Sequence, residues 1–161
     1  MARTAPASYS TLQKLLHWAV VVLLALQYFA FDSIGRAFRT LIETGTPSYS
    51  LIPVAHIVVG LLVLALTLWR LALRVTHGAP ALPEEEPGWA GIAAKLTHGV
   101  IYLLLLALPV SGMGSWFLAS RSLAELHEAG TSVLMLTVLL HVAAVLVHQF
   151  WWKTGLARRM M

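Results

Sequence analysis

The chain has 161 residues, 58% of them hydrophobic and 11% charged, with a formal net charge of +4. A soluble domain carries about a quarter charged residues, so this is the composition of a membrane protein, and four spans of about 20 to 25 residues leave no length for a separate soluble domain. The absence of cysteine excludes disulfides, iron–sulfur clusters, thioether-attached haem and thiolate zinc sites. The basic residues sit at span ends, where membrane topology accounts for them without nucleic acid as a partner.

The first ten residues show no small-residue cleavage site behind a short apolar core, so the first apolar run reads as a retained span rather than a signal peptide. It runs from about Leu15 to Phe31, entered by an amphipathic turn near Ser8. In the connector that follows, Ile34, Phe38, Leu41 and Ile42 recur at helical spacing, with Arg36, Arg39 and Glu43 off that stripe. This segment is either a short helix lying apolar side down on the membrane surface or a simple connector in which Arg39 and Glu43 form an i,i+4 pair. The second span covers about Leu51 to Leu73, with Pro53 in its first turn, where a missing N–H costs little. A polar connector with Pro80, Pro83 and Pro87 leads to a third span, about Ile92 to Trp116, which Pro109 is expected to bend. The fourth runs from about Leu123 to Trp151 and ends in the interfacial pair Trp151 and Trp152. With no internal repeat, residues 1–161 read as one all-α, four-span membrane bundle.

Lysine and arginine orient it. Arg3, Lys14, Arg70, Arg74, Lys95, Lys153, Arg158 and Arg159 belong to the two tails and the second loop, against Arg36, Arg39 and Arg121 in the first and third loops. Eight against three places both termini in the cytoplasm, and Glu84 to Glu86 barely alter that count.

Seven histidines punctuate this apolar sequence. His127 and His141 are fourteen residues apart on the fourth span, so their rings return to within about 40° of each other and lie roughly 21 Å apart along the axis. His17 falls near the cytoplasmic start of the first span and His56 near the outer start of the second. Matching depths pairs His17 with His141 and His56 with His127, each pair joining two helices, as two stacked haems require. The alternative for any one of them is a neutral histidine hydrogen-bonded between helices. Gly60, four residues after His56, and Gly130, three after His127, either make room for a porphyrin or let helices approach closely.

His98 and His148 lie toward the cytoplasmic side of the third and fourth spans. Each is a replacement ligand for the inner haem, a quinone-pocket donor or an interfacial residue, whereas His77 reads as surface. Arg70 and Arg74 share the cytoplasmic end of the second span, where they either meet haem propionates or anchor the helix by the positive-inside rule.

The His17-Trp18 pair, PVAHIVVG, KLTHGVIYLLLLALPVSG, LHEAG and LHVAAVLVHQFWWKTGLARRMM together resemble the bacterial cytochrome b561 family over almost the whole length. The likeness is greatest to its small dihaem members that oxidise superoxide and reduce ubiquinone, and more distant to the dihaem subunits of formate dehydrogenase and nickel–iron hydrogenase. The resemblance implies a multi-pass protein of the bacterial inner membrane with two haem b groups, the outer held by His56 and His127 and the inner by His17 and His141. It implies that His98 and His148 line the quinone and inner-haem region. The third loop, Leu118 to Leu123, is shorter than in those members, so what that loop contributes there to an outer substrate site is not implied by the resemblance.

On that basis superoxide is expected to reduce the outer haem, and electrons to pass through the inner haem to ubiquinone. Arg36, Arg39 and Arg121 would then form an outer cationic patch attracting the anion, or remain plain solvated charge. Two competing expectations are an electron-transfer module fed by a periplasmic protein donor and a haem-free, histidine-lined proton or ion pathway.

Overall fold

The computed structural model describes residues 6, 8–31, 34–81 and 87–161; Arg3, Pro83 and Glu84 to Glu86 lie outside the described residues. Every regular element among the described residues is helical: α1 (Thr11–Phe29), α2 (Ile34–Thr44), α3 (Leu51–His77), α4 (Gly88–Phe117) and α5 (Arg121–Leu146). Helix α5 continues through a π-helical turn, Val147–Trp151, and a short 3-10 turn follows at Leu156–Arg159. Four of these helices are long and apolar enough to cross a membrane.

Local chemistry sets the ends. Ser10 and Gln13 form a reciprocal capping box, which starts α1 four residues before the apolar run that marked it in the sequence. Gly78, at a φ of +78° that L side chains rarely adopt, ends α3 with its N–H on the Arg74 carbonyl at 3.1 Å. The Gln13 side chain donates to the Gly78 carbonyl at 3.2 Å, tying the start of α1 to the end of its antiparallel neighbour. Ser120 caps α5 after the short connector that follows Phe117. The first connector contains the amphipathic helix α2, whose stripe residue Leu41 is buried while Arg36 and Arg39 are exposed.

Helix α4 packs most extensively on α5; α1 packs on α3 and α3 on α4. Helices α1 and α5 meet sparsely, one point being the Tyr28 hydroxyl donating to the Thr131 carbonyl. The buried core is a single layer at mid-height, Val20, Val63, Leu105, Leu108 and Leu134, to which all four spans contribute. Outside it, large apolar side chains such as Leu15, Val22, Leu62, Leu103, Leu136 and Leu139 are exposed round the bundle. A water-soluble fold would bury such a surface; against lipid tails it needs no cover.

That core layer orders everything polar. Seven residues along a helix turns a side chain only about 20° and moves it roughly 10 Å along the axis. Counting seven from the layer toward the end that carries α2 reaches Gln27, His56, Gly112 and His127. Counting seven the other way, toward the end that carries both tails, reaches Arg70, His98 and His141, with His17 three residues from Val20. Two polar levels thus sit on either side of an apolar partition.

Candidate functional site

At the level nearer α2, the rings of His56 and His127 face each other across α3 and α5 with centres 6.2 Å apart, inclined at 67°. Imidazole–metal bonds are about 2 Å long and a ligating nitrogen sits roughly 1 Å from its ring centre, so two rings on opposite faces of one metal have centres roughly 6 Å apart. The observed spacing fits that requirement. The His127 Nδ1–H donates to the Leu108 carbonyl at 2.9 Å, with Ser111 Oγ 3.4 Å away. That bond fixes the tautomer and leaves Nε2 as the nitrogen with a free lone pair, the arrangement common to metal-binding histidines. His56 Nδ1 is buried with no hydrogen-bond partner, and the Phe31 ring meets the His56 ring edge-on with centres 6.0 Å apart.

Gly112 makes this seat possible. A Cβ there would stand 2.9 Å from His127 Cε1 and 3.0 Å from Nδ1, inside contact distance of a ring that its own hydrogen bond holds in place. Gly60 and Gly130 serve a different end. A Cβ on Gly130 would meet Leu108 at 2.7 Å and lies near Leu104, so this glycine lets α5 close on α4. A Cβ on Gly60 would meet the Gln27 amide nitrogen at 3.3 Å, so Gly60 admits a side chain of α1. The neighbours of both glycines belong to adjoining helices, the close-packing alternative for each.

The level nearer the tails is more crowded. Arg70 Nη2 donates to His17 Nδ1 at 3.1 Å, and the same guanidinium lies over the Tyr102 ring at 5.6 Å. The His141 ring meets His98 edge-on at 5.1 Å, tighter than rings on opposite faces of a metal stand. His98 Nδ1–H donates to the Ala94 carbonyl at 2.6 Å, again leaving Nε2 with the lone pair. The structure thus gathers His17, Arg70, His98 and His141 at one depth. Arg74 sits a turn beyond Arg70, at the end of α3.

His148 lies seven residues past His141. It lies in the π turn, 4.6 Å edge-on from Trp152, with its carbonyl accepting from Thr154 N–H at 3.0 Å, and Trp152 in turn meets Trp89 at 5.9 Å. That places His148 within the aromatic girdle of the tail end. His77 is exposed at the end of α3. Arg36, Arg39 and Arg121 are exposed at the α2 end.

Among the described residues no three His, Asp or Glu side chains converge on a point that could hold a metal ion. A bare zinc or iron site needs three or four protein ligands. A haem iron brings four ligands of its own and asks the protein for two, and two imidazoles are what the α2-end level offers.

Sequence reasoning missed three participants. Gly112 and Ser111 act across a helix contact, which no local pattern announces. Gln27 did carry a signal, as an uncharged polar residue inside a span, where polar side chains seek partners on another helix. Its amide donates to the His56 carbonyl at 3.0 Å.

Comparison with known proteins gives the same direction. The sequence profile of the family described as prokaryotic cytochrome b561 matches residues 8–161. The cytochrome b562 of Cereibacter sphaeroides is 35% identical over 158 residues, covering 98% of each chain. Cytochrome b561 homolog 1 of Escherichia coli strain K12 is 26% identical over 174 residues, 95% of this chain and 96% of its own. A Yersinia pestis protein named probable superoxide oxidase CybB is 27% identical over 175 residues, 95% of each chain.

Proposed function

The chain belongs to the prokaryotic cytochrome b561 family of inner-membrane electron-transfer proteins, and from that premise we propose that it oxidises superoxide outside the membrane and reduces ubiquinone at the cytoplasmic side. The family carries b-type haem; two are proposed here, one per histidine level. His56 and His127 would hold the one near α2, and His17 and His141 the one near the tails, His17 giving up its Nδ1 contact with Arg70 so that the Nε2 lone pair is free, with His98 and Arg70 beside it. The eight-to-three distribution of basic residues sets the tail end in the cytoplasm.

Bound haem would supply a one-electron iron couple, and residues that offer it two imidazoles, His56 with His127 and His17 with His141, would suit electron transfer rather than oxygen binding. The chain's own residues do the rest. Arg36, Arg39 and Arg121 draw an anion to the outer surface. The apolar layer of Val20, Val63, Leu105, Leu108 and Leu134 keeps water out of the path between the levels. His98 presents an imidazole lone pair at the inner level and Arg70 a guanidinium donor, groups suited to proton exchange and to a quinone carbonyl. The balance is two superoxide anions giving two dioxygen molecules and two electrons, which with two protons convert ubiquinone to ubiquinol. One electron carried fully inward works against the membrane potential by about 2.3 kcal/mol per 100 mV, so the donor must be strongly reducing, as superoxide is.

The observation that carries this reading is the His56–His127 pair at 6.2 Å with the His127 tautomer fixed by backbone. The near full-length likeness to a protein named as a probable superoxide oxidase favours the substrate. A pulse of superoxide delivered anaerobically to the oxidised, purified protein tests it. Reduction of haem without any added protein is expected. Haem that stays oxidised points instead to a docking protein donor. Purified protein without a Soret band would leave the haem-free proton or ion pathway.

A further inference from the structure

The two imidazoles at the α2-end level are not equally supported. His127 has a visible acceptor for its Nδ1–H, the Leu108 carbonyl. His56 has none: its Nδ1 is buried and unpartnered. A buried N–H without an acceptor is costly, and metal-binding histidines almost always donate their second ring N–H to something. A complementary orphan lies on the neighbouring helix. Gln27 Oε1, an acceptor, is likewise buried and unpartnered, while the Nε2 of the same amide donates to the His56 carbonyl at 3.0 Å. Donor and acceptor therefore belong to two residues already joined by a hydrogen bond. Gly60, one turn after His56, leaves the space this amide occupies, since a Cβ there would press on Gln27 Nε2 at 3.3 Å.

We propose that Gln27 is the positioning residue for His56, its Oε1 accepting the ring Nδ1–H when Nε2 ligates the outer haem iron. This rests on the dihaem reading above. An acceptor on Nδ1–H makes the imidazole a stronger donor to iron and favours the ferric state. Gln27 then has two separable tasks: bracing the His56 backbone through Nε2, and orienting and polarising the ring through Oε1.

The test separates them. Redox titration of the purified holoprotein, followed in the visible spectrum and by ferric low-spin EPR, is compared across Gln27→Met, which removes both groups, and Gln27→Glu, which keeps an acceptor and removes the amide donor. The expected result is an upward shift of the outer-haem midpoint in Gln27→Met, and in Gln27→Glu a midpoint at or below that of the parent. The inner haem stays unmoved in both. Should Gln27→Met fail to assemble, Gln27→Asn withdraws the acceptor by one methylene and is expected to shift the midpoint upward too. Equal shifts in the Met and Glu variants, or none in either, overturn the proposal and reduce Gln27 to a helix brace. Failure of the dihaem reading looks different: the parent protein itself would then lack two titrating b-type centres.

Discussion

The two histidine levels are built on the same four spans, on either side of one apolar layer, yet they are organised differently. At the α2 end, two rings stand at the separation of opposed metal ligands, one held by backbone and seated on a glycine. At the tail end three rings and a guanidinium share one depth; two of the rings touch, and the third accepts from Arg70. On the proposed dihaem reading, the first level has one task, holding a cofactor rigidly. The second has groups in excess of two ligands, as expected where a cofactor and a proton-exchanging substrate adjoin.

The sharpest way to break that contrast is Gly112→Ala. The new methyl stands 2.9 Å from the His127 ring, so the outer haem is expected to be lost and the inner retained, read as one haem b per chain instead of two by alkaline pyridine spectroscopy. Gly99→Ala, with nothing within 4 Å of its Cβ, is the control expected to keep both. Two haems in Gly112→Ala would mean that the seat is not needed.

The crowded level calls for a paired experiment. His17→Ala is expected to abolish the inner b-type signal, whereas His98→Ala keeps it and slows quinone reduction. The reverse outcome would reassign the inner ligand to His98, whose Nε2 also carries a free lone pair.

A milder perturbation probes the partition. Leu134, buried at mid-height and seven residues from both His127 and His141, is expected on truncation to Ala to lower stability in detergent by about 2 to 5 kcal/mol. Both haems should loosen together in a thermal melt followed at the Soret band; loss confined to one level would argue against a shared central layer. Smallest of all, Gln at Arg36, Arg39 and Arg121 together should slow superoxide-driven reduction several-fold at low ionic strength. The deficit should fade as salt rises and the Debye length falls to about 10 Å at 0.1 M. A salt-independent rate in both proteins would leave these arginines as plain surface charge.

Much of this was legible in the sequence because hydrocarbon imposes strong rules. The four spans, the helical stripe of Ile34 to Ile42 and the depths of His17, His56, His127 and His141 all follow from apolar length and helical rise. Depth is one coordinate only. It could not tell which of His17 and His98 turns toward His141, because that depends on rotation about each helix and on which helices adjoin. The π turn at Val147–Trp151 was invisible for a related reason: it inserts a residue without changing composition, and it accompanies the placement of His148 beside Trp152. Gly130 shows the same limit. Three residues from a histidine, its small size serves Leu108 on the opposite helix.

The most direct test of the two-level account is a count of haem by level: haem b per polypeptide in the purified protein, in His127→Ala and in His141→Ala, each with its redox titration. Two centres are expected in the parent and one in each variant, with the surviving centre differing between them. A parent with fewer than two, or both variants losing the same centre, would contradict it.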